Sequence, residues 1–301
     1  MKIWLNPRAL IKRSIIMIIA CIPALNEELT ISHIVNLTLK YVDQVVVCDD
    51  GSADNTVVMA RKAGADVISN PENLGKGASL KKLFNYALKL NPEIVVTLDA
   101  DNQHDPNQIP SLIKPIVEKQ ADIVIGSRYI DNSENKAPLY RKFGLMVLNF
   151  LSSGNKIKVK DTQSGYRAFS KKSMEKMINI RSRGYGVESE EIYIANINRL
   201  QIVEIPINIT YKGIYKASKM NPLSHAIQVI MEIIIYSIHE RPMIFYGYPG
   251  IIFLLIGFLC TFLLLTEYLL FNLVTGIITI FSFFTGTYLF AKAFRVLTKN
   301  S

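Results

Sequence analysis

The chain has 301 residues, half of them hydrophobic, so it can bury a full core and still have apolar sequence left over. A net charge of +9 would suit nucleic acid, but the cations cluster around apolar segments, where they orient a membrane protein, and no nucleic-acid partner is expected. Cys21, Cys48 and Cys260 form no Cys-x-x-Cys and lie in apolar runs, which argues against zinc or a disulfide framework and suits a reducing cytosol.

Residues 1–14 are a basic extension with Lys2, Arg8, Lys12 and Arg13 and no acid. The apolar run that follows, Ile15 to Cys21, imitates a lipoprotein signal. It is short and passes directly into Pro23-Ala24-Leu25-Asn26, so a first core strand is expected instead. From Ile15 to about Gly126 strand and helix patterns alternate. Short apolar or β-branched runs predict strands at 15–22, 44–48, 66–69, 94–98 and 122–126, and helical spacing fills the gaps, as with Leu80, Leu83, Phe84, Ala87 and Leu88. Such alternation predicts an α/β fold with a mostly parallel, Rossmann-like sheet and crossover helices.

Parallel strands end on one side, so their polar turns share an edge, and ligands of α/β sheets sit there. The first strand ends in Pro23-Ala24-Leu25-Asn26-Glu27-Glu28, the second in Asp49-Asp50-Gly51-Ser52, and the run Ile94 to Leu98 in Asp99-Ala100-Asp101. Two carboxylates at this spacing suit a hard divalent cation, whose shell substrate phosphates and water complete. Two solvated loop carboxylates are the plain alternative, and Asp50 could instead cap the helix beginning near Asp54. Asn73-Leu74-Gly75-Lys76-Gly77 lacks P-loop spacing and reads as a turn into a helix, with a lysine near a phosphate. His104 is the only histidine beside the acidic pair, and loop packing is its simpler reading.

Beyond a strand-like stretch from Ile202 to Thr210, Asn221-Pro222 opens a helix across 221–241 that is apolar on one side, either an amphipathic interface helix or a core helix. Arg241-Pro242 breaks it. The stretches 242–266 and 268–291, of 25 and 24 residues, hold no formal charge, and each exceeds the roughly 20 residues that span a bilayer. Two transmembrane helices are therefore expected within 242–297, followed by a basic tail at 298–301. Tyr246 and Tyr248 fall at interface depth, and Lys292, Arg295 and Lys299 follow the last uncharged stretch. With the basic N-terminus, this charge bias predicts a multi-pass protein of the cell membrane whose catalytic domain and both termini are cytoplasmic.

In this order and spacing, the four turn segments, the last extended through Asn102-Gln103-His104, resemble the family 2 glycosyltransferases with the GT-A fold. Within them the chain is most similar to the dolichyl-phosphate (polyprenyl-phosphate) sugar synthases. The resemblance continues through Gly126-Ser127-Arg128-Tyr129, Asp161-Thr162-Gln163-Ser164-Gly165-Tyr166-Arg167-Ala168-Phe169 and Ser218-Lys219-Met220-Asn221-Pro222, and covers about residues 15 to 240. It implies a GT-A domain over 15–220 that binds a nucleotide sugar through Pro23, Leu25, Glu27, Asp50, Asp99, Ala100, Asp101, Gln103, Arg128, Lys212 and Lys219. It also implies Mg²⁺ or Mn²⁺ on Asp99, Asp101 and Gln103, a catalytic set of Asp99, Asp101 and Arg128, and an acceptor phosphate near Arg141 and Arg167. Where family members often carry Arg, this chain has Lys212 in Tyr211-Lys212-Gly213, which loses bidentate geometry.

The implied reaction is inverting transfer of a hexose or N-acetylhexosamine from UDP or GDP to a polyprenyl or dolichyl phosphate. Glu188 or Glu190 could be a base for a hydroxyl acceptor, or be there for the helix dipole. Asp161 and Arg167 either order the acceptor loop or pair with each other. Transfer to a sugar hydroxyl, as in polysaccharide synthases, is a second reading, disfavoured because the only tryptophan is Trp4 and Gln-x-x-Arg-Trp is absent. A non-catalytic sugar-nucleotide-binding scaffold is a third.

Overall fold

The computed structural model describes residues 16–128, 130, 159–182, 184, 186–208, 238, 242–265 and 273–300. Arg141, Lys212, Lys219 and all but one residue of the expected interface helix lie outside them. The chain forms two compact units, Met1–Ile233 and Ile234–Ser301.

The first unit alternates β1 (Ile18–Ala24), α1 (Ile31–Thr38), β2 (Gln44–Asp49), α2 (Thr56–Lys62), β3 (Asp66–Ser69), α3 (Lys76–Lys89) and β4 (Ile94–Thr97). It continues with α4 (Ile109–Val117), β5 (Ile123–Ser127), β6 (Arg167–Ser170), α5 (Lys171–Met177), α6 (Val187–Ile197) and β7 (Ile202–Pro206). The seven strands make one sheet, ordered β3-β2-β1-β4-β6-β5-β7. β1, β2 and β4 are apolar along their length because helices cover both faces, as a parallel sheet requires. α3 turns Leu80, Leu83, Phe84 and Ala87 to the core, and Phe84 meets Phe169 of β6 edge-on at 5.3 Å.

The five strands predicted between residues 15 and 126 form within three residues of their expected ends. The sheet departs from a fully parallel one at β6, which runs antiparallel between β4 and β5. Periodicity does not reveal this strand, since it has only four residues and opens on an arginine. Its register sets Arg167 opposite Thr97, where β4 ends and the acidic turn begins.

The turns at the strand ends use backbone that few residues tolerate. Asn26 and Asn102 take φ of 55° and 63°, and Gly51 takes 78°. A Cβ on Gly51 would also lie 2.6 Å from the backbone carbonyl carbon of Glu72, so only glycine fits there.

In the second unit Pro242 precedes a π-helical turn, Met243–Gly247, that leads into α7 (Tyr248–Leu265), and α8 runs from Leu273 to Asn300. Met243–Leu265 and Thr275–Thr298 are long and apolar enough to cross a membrane. Gly250 and Gly286 let the two helices touch: a Cβ on either would lie 3.0 Å from the other's carbonyl oxygen. Phe258, Phe262, Phe281 and Phe284 point outward, an apolar surface that suits lipid. The second span lies further along the chain than the uncharged stretch 268–291 and contains Lys292 and Arg295. Lys292 lies over an aromatic face, with Nζ 4.5 Å from the Tyr246 ring centre.

Candidate active site

β1 and β2 end side by side, and their turns are stitched together. The amide of Asn26 donates to Ser52 Oγ at 2.8 Å, and the amide of Ala53 donates back to Asn26 Oδ1 at 2.9 Å. The Glu27 amide donates to Thr56 Oγ1 at 2.8 Å, while the Glu27 carboxylate accepts from Thr30 Oγ1 at 2.8 Å. Between these anchors Pro23 is half-buried and Leu25 exposed, which leaves an apolar lip at the sheet edge.

Asp50 does not cap α2. It is buried and accepts from Asn70 Nδ2 at 2.7 Å, from the Leu74 amide at 3.1 Å and from the Gly75 amide at 2.8 Å. The second acidic turn thereby fixes the glycine turn that starts α3, and with it the position of Lys76.

β4 delivers Asp99, Ala100 and Asp101 to the same edge. Asp99 meets the Lys76 ammonium at 2.6 Å, and Lys76 also meets Glu188, in the first turn of α6, at 2.8 Å. Burial alone would raise the Asp99 carboxyl, but the Lys76 ammonium outweighs it and the net shift is downward. Asp101 moves the other way, raised first by burial and then by the charge of Asp99, although its Oδ1 accepts from the Gln103 amide at 3.1 Å. Burial likewise would lower Lys76, yet Asp99 and Glu188 together raise it, so the ammonium stays charged.

His104 is buried and stacks on Tyr166 at 5.0 Å; its Nδ1 accepts from the Asp99 amide at 3.2 Å. Burial pushes the imidazole down to about 4, which leaves it a neutral packing and hydrogen-bonding group. Tyr166 in turn donates from its hydroxyl to the Asp105 carbonyl at 3.0 Å, closing the loop after the acidic pair. Gly165 forms the adjoining wall. A Cβ there would stand 2.9 Å from Lys76 Nζ and 3.0 Å from Asp99 Oδ2, and Thr97 Oγ1 donates to the Gly165 carbonyl at 2.9 Å.

The cationic residues separate into two kinds. Arg128 forks onto Asp161 with two donors at 2.6 Å, and Asp161 is held by its own amide on Glu204 at 2.9 Å. Arg167, expected near an acceptor phosphate, lies in the core instead, at 1% exposure. It donates to the carbonyls of Thr162, Ser164 and Glu188 and pairs with Glu191 at 2.8 Å. Of the two readings for Asp161 and Arg167, the mutual pairing does not form: each has its own partner, Arg128 and Glu191. Glu190 accepts from the amides of Arg181 and Ser182 at 2.8 and 2.7 Å, which gives it a loop-holding role.

Among the described residues no three carboxylate, histidine or cysteine groups converge to make a closed metal cage. Asp99 and Asp101 nevertheless fit a hard cation that takes one or two carboxylates and shares a diphosphate. Burial, and then the charge of Asp99, raises the Asp101 carboxyl, so a cation there would favour its charged form.

The ends of β1, β2 and β4 thus gather the acidic turns, the glycine turn and the Asp99–Lys76–Glu188 cluster at one edge of a mixed α/β sheet. The model of the family "Glycosyl transferase family 2" matches residues 19–178, and the chain belongs to this family. It is 35% identical over 213 residues to the UDP-N-acetylglucosamine–dolichyl-phosphate N-acetylglucosaminyltransferase of Methanococcus voltae, covering 63% of this chain and 84% of that one. It is 30% identical over 217 residues to the polyprenol monophosphomannose synthase of Mycolicibacterium smegmatis, covering 66% and 80%. An uncharacterised protein of Methanocaldococcus jannaschii matches at 35% over 226 residues, 73% of this chain and 92% of that one. These relatives place the chain in the polyprenyl-phosphate sugar synthase branch. Glucosyl-3-phosphoglycerate synthase from Mycobacterium tuberculosis, crystallised with Mn²⁺, UDP and phosphoglyceric acid, superposes with a TM-score of 0.60 at 24% identity. The match covers 79% of this chain and 84% of that one, and it establishes the fold.

Proposed function

We propose that the protein transfers a hexose or N-acetylhexosamine from a UDP- or GDP-sugar to a polyprenyl or dolichyl phosphate, with inversion, at the cytoplasmic face of the cell membrane. The observation that carries this reading is the similarity, over most of the catalytic domain, to two enzymes named for lipid-linked sugar synthesis. Pro23, Leu25, Glu27 and Asp50 shape the base and ribose site, and Ala100 brings backbone against the nucleotide. Asp99, Asp101 and Gln103 would hold Mg²⁺ or Mn²⁺. Such an ion, when bound, stabilises the charge that develops on the leaving diphosphate.

The chain's own groups do the rest by charge and position. A phosphate oxygen of the acceptor bonds to C1 of the sugar as the bond from C1 to the diphosphate oxygen breaks, and the nucleoside diphosphate leaves with the electron pair. A phosphate monoester, with a second pKa of about 6, is already largely dianionic near pH 7, so no strong base is required. That fits a site where Glu188 is occupied by Lys76 and Glu190 by backbone amides. Arg128, oriented by Asp161, faces one of the phosphates, with Lys212, Lys219 and Arg141 as further phosphate contacts. The apolar hairpin would anchor the domain to the membrane.

A panel of UDP- and GDP-sugars, each offered with dolichyl phosphate and Mg²⁺ to the detergent-purified protein, tests the reading. One nucleotide sugar should give a labelled lipid. Nucleotide binding without turnover across the panel would favour the scaffold reading, and transfer only to sugar hydroxyls the polysaccharide one.

A further inference from the structure

We infer that Lys76 and Glu188 are positioning residues of the acidic pair: Lys76 competes with a divalent cation for Asp99, and Glu188 tunes that competition by offering the ammonium a second carboxylate. The inference rests on the reading of Asp99 and Asp101 as metal ligands.

Three elements bring these charges together. β4 supplies Asp99, the first residue of α3 supplies Lys76, and the first turn of α6 supplies Glu188. The Lys76 ammonium lies 2.6 Å from Asp99 Oδ1 and 2.8 Å from Glu188 Oε1, and only 5% of the Glu188 side chain is exposed. The backbone beneath Lys76 is fixed, because the preceding Gly75 amide donates to buried Asp50. The Gly165 wall stands against both Nζ and the Asp99 carboxylate, so it closes one side of the pair. What the ammonium has available is the line between its two carboxylates.

A carboxylate oxygen that accepts an ammonium at 2.6 Å is a poorer ligand for a divalent ion, since the two cations repel across it. Glu188 changes the balance without touching the metal. With Glu188 present, the ammonium retains a charged partner when it yields Asp99; without it, Lys76 has Asp99 alone. Opposed effects are therefore expected from removing the lysine and removing the glutamate.

The test is Mn²⁺ binding to the full chain in detergent, followed by electron paramagnetic resonance of free Mn²⁺ in the absence of nucleotide. Lys76→Met should bind Mn²⁺ at least about tenfold more tightly, the scale of one nearby charge. Glu188→Gln should bind it more weakly in the wild-type background and have no effect in Lys76→Met, because it acts only through the lysine. Should Lys76→Met fail to fold, Lys76→Gln keeps a hydrogen-bond donor without the charge and should shift affinity in the same direction. Unchanged or weaker Mn²⁺ binding in the lysine variants would overturn the inference. So would a Glu188→Gln effect of equal size in both backgrounds, which is the mark of simple charge loss. If neither wild type nor Lys76→Met binds Mn²⁺, even with UDP or GDP added, the metal reading itself fails, and the inference with it.

Discussion

Asp99 and Asp101 are two residues apart in the chain but meet opposite surroundings. Asp99 is held charged by Lys76, whereas Asp101 is raised by burial and by Asp99 itself. Asp101 is thus the carboxylate with more to gain from a cation. Asp101→Asn should lower turnover by roughly 10²-fold or more, the scale of removing one electrostatic stabiliser, while leaving the melting temperature near wild type. Steady-state kinetics and thermal unfolding on the same preparation check both halves. His104 makes a second residue-scale prediction. Its folded pKa is about 4 against an ordinary 6.5, so the unfolded chain takes up the proton first. The stability it contributes is complete above about 6.5 and is lost as pH falls toward 4. His104→Asn, which keeps an acceptor for the Asp99 amide, should flatten the dependence of melting temperature on pH across that window. The acidic pair was legible in the sequence because its spacing is local and its strand is strongly apolar. The partners were not: Asp99 meets Glu188 through Lys76, and Arg128 meets Asp161 across 33 residues, separations that no motif spacing encodes.

At the scale of elements, β6 is what ties the chemistry to the core. Thr97 of β4 lies opposite Arg167 of β6, and the buried Arg167–Glu191 pair then clamps β6 to α6, the helix that carries Glu188. Both members are almost fully buried, so a one-sided change strands a charge. Burial raises the Glu191 carboxyl to about 7, so at pH 8, where it is charged, Glu191→Gln should cost about 3–5 kcal/mol of stability, measured by denaturant unfolding of the detergent-solubilised protein. A loss under 1 kcal/mol would mean that the pair is not a clamp. Sequence reasoning placed the five strands before residue 130 because each is a β-branched run bounded by turn residues. The family resemblance, and no pattern in the residues themselves, put Arg167 near the acceptor phosphate. Its surroundings come from β6, which opens on Arg167 and buries it against α6, where three backbone carbonyls accept its donors.

For the whole molecule, the chain joins an α/β catalytic unit to two long apolar helices. Length and lack of charge made the two apolar helices legible; the contact of Lys292 with the Tyr246 ring, 46 residues earlier, was not, because no local pattern encodes it. Truncation after residue 241 should release the protein from membranes into the soluble fraction, and carbonate extraction of the full chain should leave it in the pellet. Recovery of the truncated protein in the pellet would transfer the anchoring role to the catalytic unit. The central claim is that a lipid phosphate accepts the sugar. The direct measurement is transfer of label from the preferred nucleotide sugar to dolichyl phosphate and, in parallel, to dolichol, each with Mg²⁺ and with excess EDTA. The account predicts a labelled, organic-extractable lipid from dolichyl phosphate and Mg²⁺ alone. Equal labelling of dolichol, or undiminished labelling in EDTA, would contradict it.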